Sequence, residues 1–306
     1  MISGNTVPTI PKLVVHVMGG LGNQMFQYAA SRAMALRSGA DLVLDPWTGF
    51  VRDRMFKRRY ALSAFPIQGR SASRTEGLPF WSERLRTKYH LPPPPTVSQQ
   101  WWGDYVWEPE QKFYDEVASL RPTRSTWLHG HWQSERYFEA IRDRIAVELM
   151  PPPSRQENVQ AMRTLMAANN AVAIGVRLFE ELPGESKAGV GGLTQLDFYR
   201  RGAEQIAGEI ADPVFFVFCS IRSESLRRLD LPGPVHFVTG DDGFHTAIDS
   251  LWLLAECRYH VLANSSFFWW GAWLAERRHR ETRIIASDRF PNASTVPTRW
   301  QVATTL

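Results

Sequence analysis

The chain has 306 residues, 44% apolar and 22% charged, with a formal charge of +4; these proportions suit globular domains and exclude disordered and fibrous classes. The basic excess is spread along the sequence, so a nucleic-acid-binding stripe is not expected, and a substrate with a few anionic groups suits it better. Cys219 and Cys257 are the only cysteines, which argues against a disulfide framework or a zinc cage and fits a reducing compartment.

MISGNTVPTIPK at the start lacks the basic opening of a signal peptide, and no apolar run approaches the roughly 20 residues of a membrane span. A cytoplasmic protein is expected. Lys57, Arg58 and Arg59, with Arg84, Arg86 and Lys88, leave a peripheral position at the inner face of a membrane open, although a solvated surface is the favoured account of them. LVVHVM (13–18) reads as a strand, GGLGNQ as a turn, and MFQYAASRAMALRSG as a helix stopped by Gly39. ADLVLD reads as the next strand, completing a βαβ unit. The stretch 46–124, with LPPPP and a Trp cluster at 101–107, has no clear periodicity. TWLHGHW then reads as a strand, and SERYFEAIRDRIAVEL as a helix capped by Ser134.

Three prolines in MPPPSRQEN (150–158) break that helix, and the domain boundary is placed there, giving domains 1–150 and 151–306. Strands AVAIGV, PVFFVF, VHFVT, YHVLA and RIIA follow, separated by helices near 195–210, 221–229, 245–257 and 266–278. Alternation of this kind makes a parallel sheet covered by helices, so the expected fold class is α/β with two such domains.

Four places carry candidate chemistry. Gly20, Leu21, Gly22, Asn23 and Gln24 form a Gly-rich strand-to-helix turn suited to an anion, although Met25 stands where a dinucleotide fingerprint needs its third Gly. A tight turn that needs glycine only for its φ angles is the alternative. Asn264, Ser265, Ser266 and Phe267 follow the strand YHVLA and open a helix, a second anion-binding start; Trp269, Trp270 and Trp273 beyond them read as packing. Arg177 ends a buried strand and opens a Gly-rich loop with Glu180, Glu181 and Glu185, where a guanidinium can grip a phosphate in two-pronged fashion; a surface ion pair is the plainer account. Asp249 interrupts an apolar helix near its start, which either complements the helix dipole or serves a ligand. His129 and His131 share a strand face, but no carboxylate or cysteine stands near at ligand spacing, so no metal site is expected.

GGLGNQMFQYA, HGHWQSERYF (129–138) and LANSSFFWWGAWL (262–274), in this order and spacing, resemble the bacterial α-1,2-fucosyltransferases of glycosyltransferase family 11 over about residues 12 to 290. The resemblance implies two Rossmann-like domains facing across a cleft, the GT-B arrangement, with the acceptor on the N-terminal side and the nucleotide sugar on the C-terminal side. It implies metal-independent, inverting transfer of L-fucose from GDP-β-L-fucose to a galactose-containing glycan, with no cofactor, as in O-antigen or capsule assembly. The family's H-x-R-R-x-D stands here as Gly175-Val176-Arg177-Leu178-Phe179-Glu180. Arg177 inherits the β-phosphate contact, while the His and second Arg are lost. Glu180 matches the acidic position and is the first choice for general base, with Glu181, Glu185 and His16 as rivals. Asp249, 16 residues before Ser265, stands where related fucosyltransferases bind guanine. Two other classes fit parts of the sequence: an NAD-dependent oxidoreductase, from the Gly-rich turn, and a non-catalytic glycan-binding protein, from the 12 tryptophans.

Overall fold

The computed structural model describes residues 10–51, 53, 56–77, 94–177, 196–220, 222 and 225–305. They fall into two units. One takes in Met1–Gly19, Phe26–Tyr60 and Gln68–Ile141; the other takes in Gly20–Met25, Ala61–Ile67 and Arg142–Leu306. The first turn of the first helix therefore belongs with the second unit, as does the short segment Ala61–Ile67.

In the first unit β1 (Lys12–His16), β2 (Asp41–Asp45), β3 (Arg70–Ser71), β4 (Val97–Gln100), β5 (Gly103–Trp107) and β6 (Thr126–His129) form one sheet in the order β3-β2-β1-β6-β5-β4. All pairs are parallel except β4 with β5, an antiparallel hairpin. β1 and β2 are buried along almost their whole length, as expected of strands covered on both faces. The helix α1 (Leu21–Ser38) starts four residues earlier than the pattern predicts, so Leu21–Gln24 are its first turn and not a loop. It stops at Gly39, whose φ of +68° belongs to the left-handed region that favours glycine. A short helix, α2 (Asp115–Ser119), lies in the stretch without periodicity.

Two expectations around 126–149 change. The strand ends at His129, because Trp132 takes a φ of +55° and turns the chain. The helix predicted from Ser134 is two short 3-10 turns, Glu135–Tyr137 and Glu139–Ile141, followed by α3 (Arg142–Glu148), and Ser134 makes no side-chain cap. Tyr137 and Phe138 bury in the first unit whereas Ile145 and Leu149 bury in the second. Packing on two cores, not helix propensity, sets the break.

In the second unit α3 is followed by α4 (Glu157–Ala167), which the proline-rich approach hides, and then by β7 (Asn170–Gly175), α5 (Leu196–Glu209), β8 (Pro213–Phe218), β9 (Val235–Val238), α6 (Ala247–Leu254), β10 (Tyr259–Leu262), α7 (Ser266–Arg278), β11 (Arg283–Ser287) and β12 (Gln301–Ala303). Where a helix is predicted near 221–229, the described residues hold only a 3-10 turn, Ser225–Arg228. The sheet order is β12-β11-β10-β7-β8-β9, parallel throughout. The chain winds one way from β7 to β9, returns, and winds the other way from β10 to β12. That doubly wound order puts its switch point between β7 and β10, where ligands of open sheets bind beyond the carboxyl ends. Its core includes Val172, Ile174, Phe198, Ile206, Phe215 and Val261. Among the described residues no helix is long and apolar enough to cross a membrane.

Candidate functional site

At the switch point of the second unit β7 and β10 end in register, Gly175 opposite Leu262, and the Ala263 N–H donates to the Gly175 carbonyl at 3.2 Å. The chain then leaves β7 as Val176-Arg177 and β10 as Asn264-Ser265. Gly175 is dictated by packing, since a Cβ there would stand 2.7 Å from the Phe268 ring. The half-buried Arg177 has its backbone N–H fixed by the Tyr199 hydroxyl at 3.1 Å. Glu180, Glu181 and Glu185 lie outside the described residues.

The two Gly/Ser-rich turns singled out in the sequence meet here. A Cβ on Gly22 would lie 2.4 Å from the Ser266 carbonyl carbon and 2.5 Å from the Phe267 nitrogen. The first turn of α1 thus rests backbone to backbone on the first turn of α7, an approach that only glycine permits. Two bonds lock it. The Ser266 hydroxyl donates to Asn23 Oδ1 at 2.6 Å, and the Trp270 indole donates to the Gly22 carbonyl at 3.0 Å. Two helix starts, each the positive end of a helix dipole worth roughly half a charge, meet at this contact.

The other candidates take more structural parts. Gln24 is buried and accepts the Ala61 N–H at 2.9 Å, tethering Ala61–Ile67. Leu21 is buried; Gly20 accepts the Gln24 N–H at 3.1 Å, closing the first turn of α1. Ser265 is the N-cap of α7 but makes no side-chain cap, and the Asn264 amide donates to the Arg289 carbonyl at 3.0 Å. Phe267 is half-buried. Trp269, Trp270 and Trp273 are fully buried, so they pack.

Asp249 sits in the first turn of α6. The Thr246 hydroxyl accepts the Asp249 N–H at 3.0 Å and donates to Oδ2 at 2.5 Å, while Gln156 donates to the same oxygen at 2.8 Å. The plainer account, a carboxylate serving its helix start, is therefore built in, and Oδ1 has no donor among the described residues. Gln156 escapes sequence reasoning because it lies 93 positions away.

The first unit holds a second polar concentration at the carboxyl ends of its strands: His16, Tyr105, Trp107, Glu108, His129 and His131. Burial pushes the Glu108 carboxyl up to about 7, against the pull of the His131 and Trp132 backbone N–H groups it accepts. Burial, and secondarily the neighbouring His129, push His131 down to about 4. Sequence reasoning noted the histidines but missed Glu108, whose signal is only its place one residue past a strand. No group of three or more His, Cys, Asp or Glu among the described residues is placed to share an ion.

Residues 12–296 match the profile of Glycosyl transferase family 11. The Alpha-1,2-colitosyltransferase of Escherichia coli is 27% identical over 270 residues, covering 86% of this chain and 87% of that protein. The O-antigen biosynthesis glycosyltransferase WbnK of Escherichia coli is 24% identical over 287 residues, covering 89% and 92%. Among solved structures, a mutant of Arabidopsis thaliana FUT1 in complex with GDP aligns over 94% of this chain and 72% of its own, with a TM-score of 0.53 at 13% identity, a likeness of fold.

Proposed function

Because the chain belongs to glycosyl transferase family 11, and is a glycosyltransferase, we propose that it moves L-fucose from GDP-β-L-fucose to a galactoside hydroxyl, with inversion at C1 and an α-1,2 linkage. The observation that carries this reading is the meeting of two helix starts at Gly22 and Ser266, beside the switch point of the second unit. Backbone N–H groups and dipoles so arranged favour a diphosphate. In the proposed step the acceptor oxygen bonds to C1 as the bond from C1 to the β-phosphate oxygen breaks, and the electron pair leaves with GDP. Arg177 grips the departing phosphate, and these fixed positive groups make a divalent metal unnecessary. Glu180 is assigned to take the acceptor proton, with Glu181, Glu185 and His16 as the remaining choices. Gly20, Asn23, Asn264, Ser266 and Phe267 are assigned to the donor side, held by the buried Leu21, Gly22, Gln24 and Ser265, and Asp249 is assigned to guanine N1–H and N2–H₂. We assign the acceptor to domain 1–150 and the nucleotide sugar to domain 151–306, and place the reaction in the cytoplasm or at the inner face of the membrane, where glycans of the O-antigen type are assembled.

A second donor is favoured by one observation, the colitosyltransferase relative: colitose is L-fucose without its 3-hydroxyl, and the same phosphate grip serves either sugar. Incubation with GDP-fucose and GDP-colitose over a panel of galactosides, read by mass spectrometry, tests both. Transfer of fucose to O2 supports the first reading. Transfer of colitose alone replaces the donor, and no transfer of either refutes both. Activity should persist in EDTA; loss restored by Mg²⁺ or Mn²⁺ would remove the metal-free step.

A further inference from the structure

The last residues of three adjacent parallel strands in the first unit form a row of rings. Register pairs Val15 with Leu128 and Trp107 with His129, so His16 of β1, His129 of β6 and Trp107 of β5 emerge on one face. Ring centroids lie 4.5 Å apart for His16 and His129, and 5.1 Å apart for Trp107 and His129. Tyr105, two residues before Trp107 and on the same face, joins its hydroxyl to His129 Nδ1 at 2.8 Å and so fixes the imidazole. Polar rings at the carboxyl edge of a largely parallel sheet occupy the place where such sheets hold ligands.

The turn behind the row is held against its own preference. Trp132 adopts a φ of +55°, a left-handed conformation unfavourable for a bulky residue and frequent at functional sites. The Glu108 carboxylate keeps it there by accepting the N–H groups of His131 and Trp132. A Cβ at Gly130 would stand 2.5 Å from Glu108 Cβ and 2.8 Å from the Trp132 indole, so glycine is required. His131 Nδ1 and Trp132 Nε1 are buried without a hydrogen-bond partner among the described residues, an arrangement that stability alone does not select.

We propose that this row is the subsite for the acceptor sugar, a neutral pyranose of the galactoside class that lays its C–H face on Trp107 and bonds a hydroxyl to His129, with His16 packed against the His129 ring and Glu108 as a positioning residue that holds the turn behind them. It deepens the glycosyl-transfer reading and rests on it. A pyranose hydroxyl both donates and accepts, and a neutral imidazole offers one donor and one acceptor. No lysine or arginine belongs to the row, which suits an uncharged ligand.

The test measures acceptor KM with lactose and methyl β-galactoside, GDP affinity by calorimetry, and sugar binding without donor by saturation-transfer NMR. His129→Ala and Trp107→Leu should each raise acceptor KM at least about tenfold with GDP affinity unchanged, and should abolish the NMR signal seen with wild type. Tyr105→Phe, which removes one hydroxyl, should raise KM by a smaller factor. Because Glu108→Ala can misfold, Glu108→Gln is compared with it. An amide carbonyl still accepts the two N–H groups, so Gln should restore KM to within a few-fold of wild type. Unchanged KM in both His129→Ala and Trp107→Leu, or no sugar binding by wild type, overturns the proposal. Wild type that binds the sugars but neither GDP nor a GDP-sugar would overturn the glycosyl-transfer reading and leave the subsite standing.

Discussion

The candidate phosphate site of the second unit and the ring row of the first lie at corresponding places, the carboxyl ends of parallel strands, yet they are made of different material. The first is chiefly backbone: two helix starts pressed together over Gly22, with Ser266 and Asn23 as the lock. The second is side chain: imidazoles, an indole and a carboxylate, held by a turn at an unfavourable dihedral angle. Dipoles of helix starts do not titrate and suit a permanent anion, whereas burial raises Glu108 to about 7 and lowers His131 to about 4, favouring the neutral form of both and suiting a neutral ligand. The same fold thus supports one site built on fixed dipoles and one built on groups whose charge burial suppresses.

Arg177 is the side chain that would make the backbone site catalytic. Arg177→Ala should lower turnover by at least about 10²-fold, the scale of one lost transition-state donor at roughly 3 kcal/mol. Arg177→Lys should recover little, because a point charge lacks the planar fork. Near-normal turnover in either variant, measured at saturating substrates, would leave the helix starts sufficient by themselves.

The contrast in pH behaviour can be read from stability. Glu108 has its carboxyl raised from 4.5 to about 7 in the folded chain, so its contribution is present below about 4.5 and is lost as pH rises through 7. His131 is lowered from 6.5 to about 4, so its contribution is present above about 6.5 and is lost as pH falls through 4. Between these limits the two slopes oppose, each worth about 2 to 3 kcal/mol. Wild type should therefore change little on their account from pH 6.5 to 4.5, while Glu108→Gln should lose stability steadily over that range in denaturant titrations. Parallel profiles for the two proteins would show that Glu108 does not titrate there.

Gly22→Ala probes the backbone contact. A methyl group 2.4 Å from the Ser266 carbonyl carbon must drive the two helix starts apart, at about 1 to 3 kcal/mol, so GDP affinity should fall roughly tenfold or more. Unchanged affinity would mean that convergence of the helices is unnecessary for binding. Asp249→Asn asks whether the carboxylate reads the base as well as its own helix. Wild type should prefer GDP to ADP and UDP by at least about tenfold, and the variant should lose most of that preference. Equal affinities in wild type would confine Asp249 to its bonds with Thr246 and Gln156. Ser266→Ala should have the smallest effect, about 1 kcal/mol of stability for one hydrogen bond, read as a modest fall in Tm; a larger loss would show that the lock dominates the contact.

Much of the second unit was legible because its signals are local. PVFFVF and SFFWWGAWLAERR match β8 and α7 residue for residue, since uninterrupted apolar runs and helix starts declare themselves within a few positions. Gly39 was legible as well, because its left-handed dihedral angle is a local demand. The tertiary structure alone decided that Asn23 and Ser266, 243 positions apart, share a hydrogen bond, and that Gly22 is needed for close approach and not for its φ angle. It also broke the helix predicted at 134–149, where one segment serves two cores, and drew Glu108 under the His131–Trp132 turn. Such outcomes depend on which surfaces meet once strands are ordered in a sheet. Local sequence determines what each segment can offer, but only long-range packing chooses the partner that accepts it.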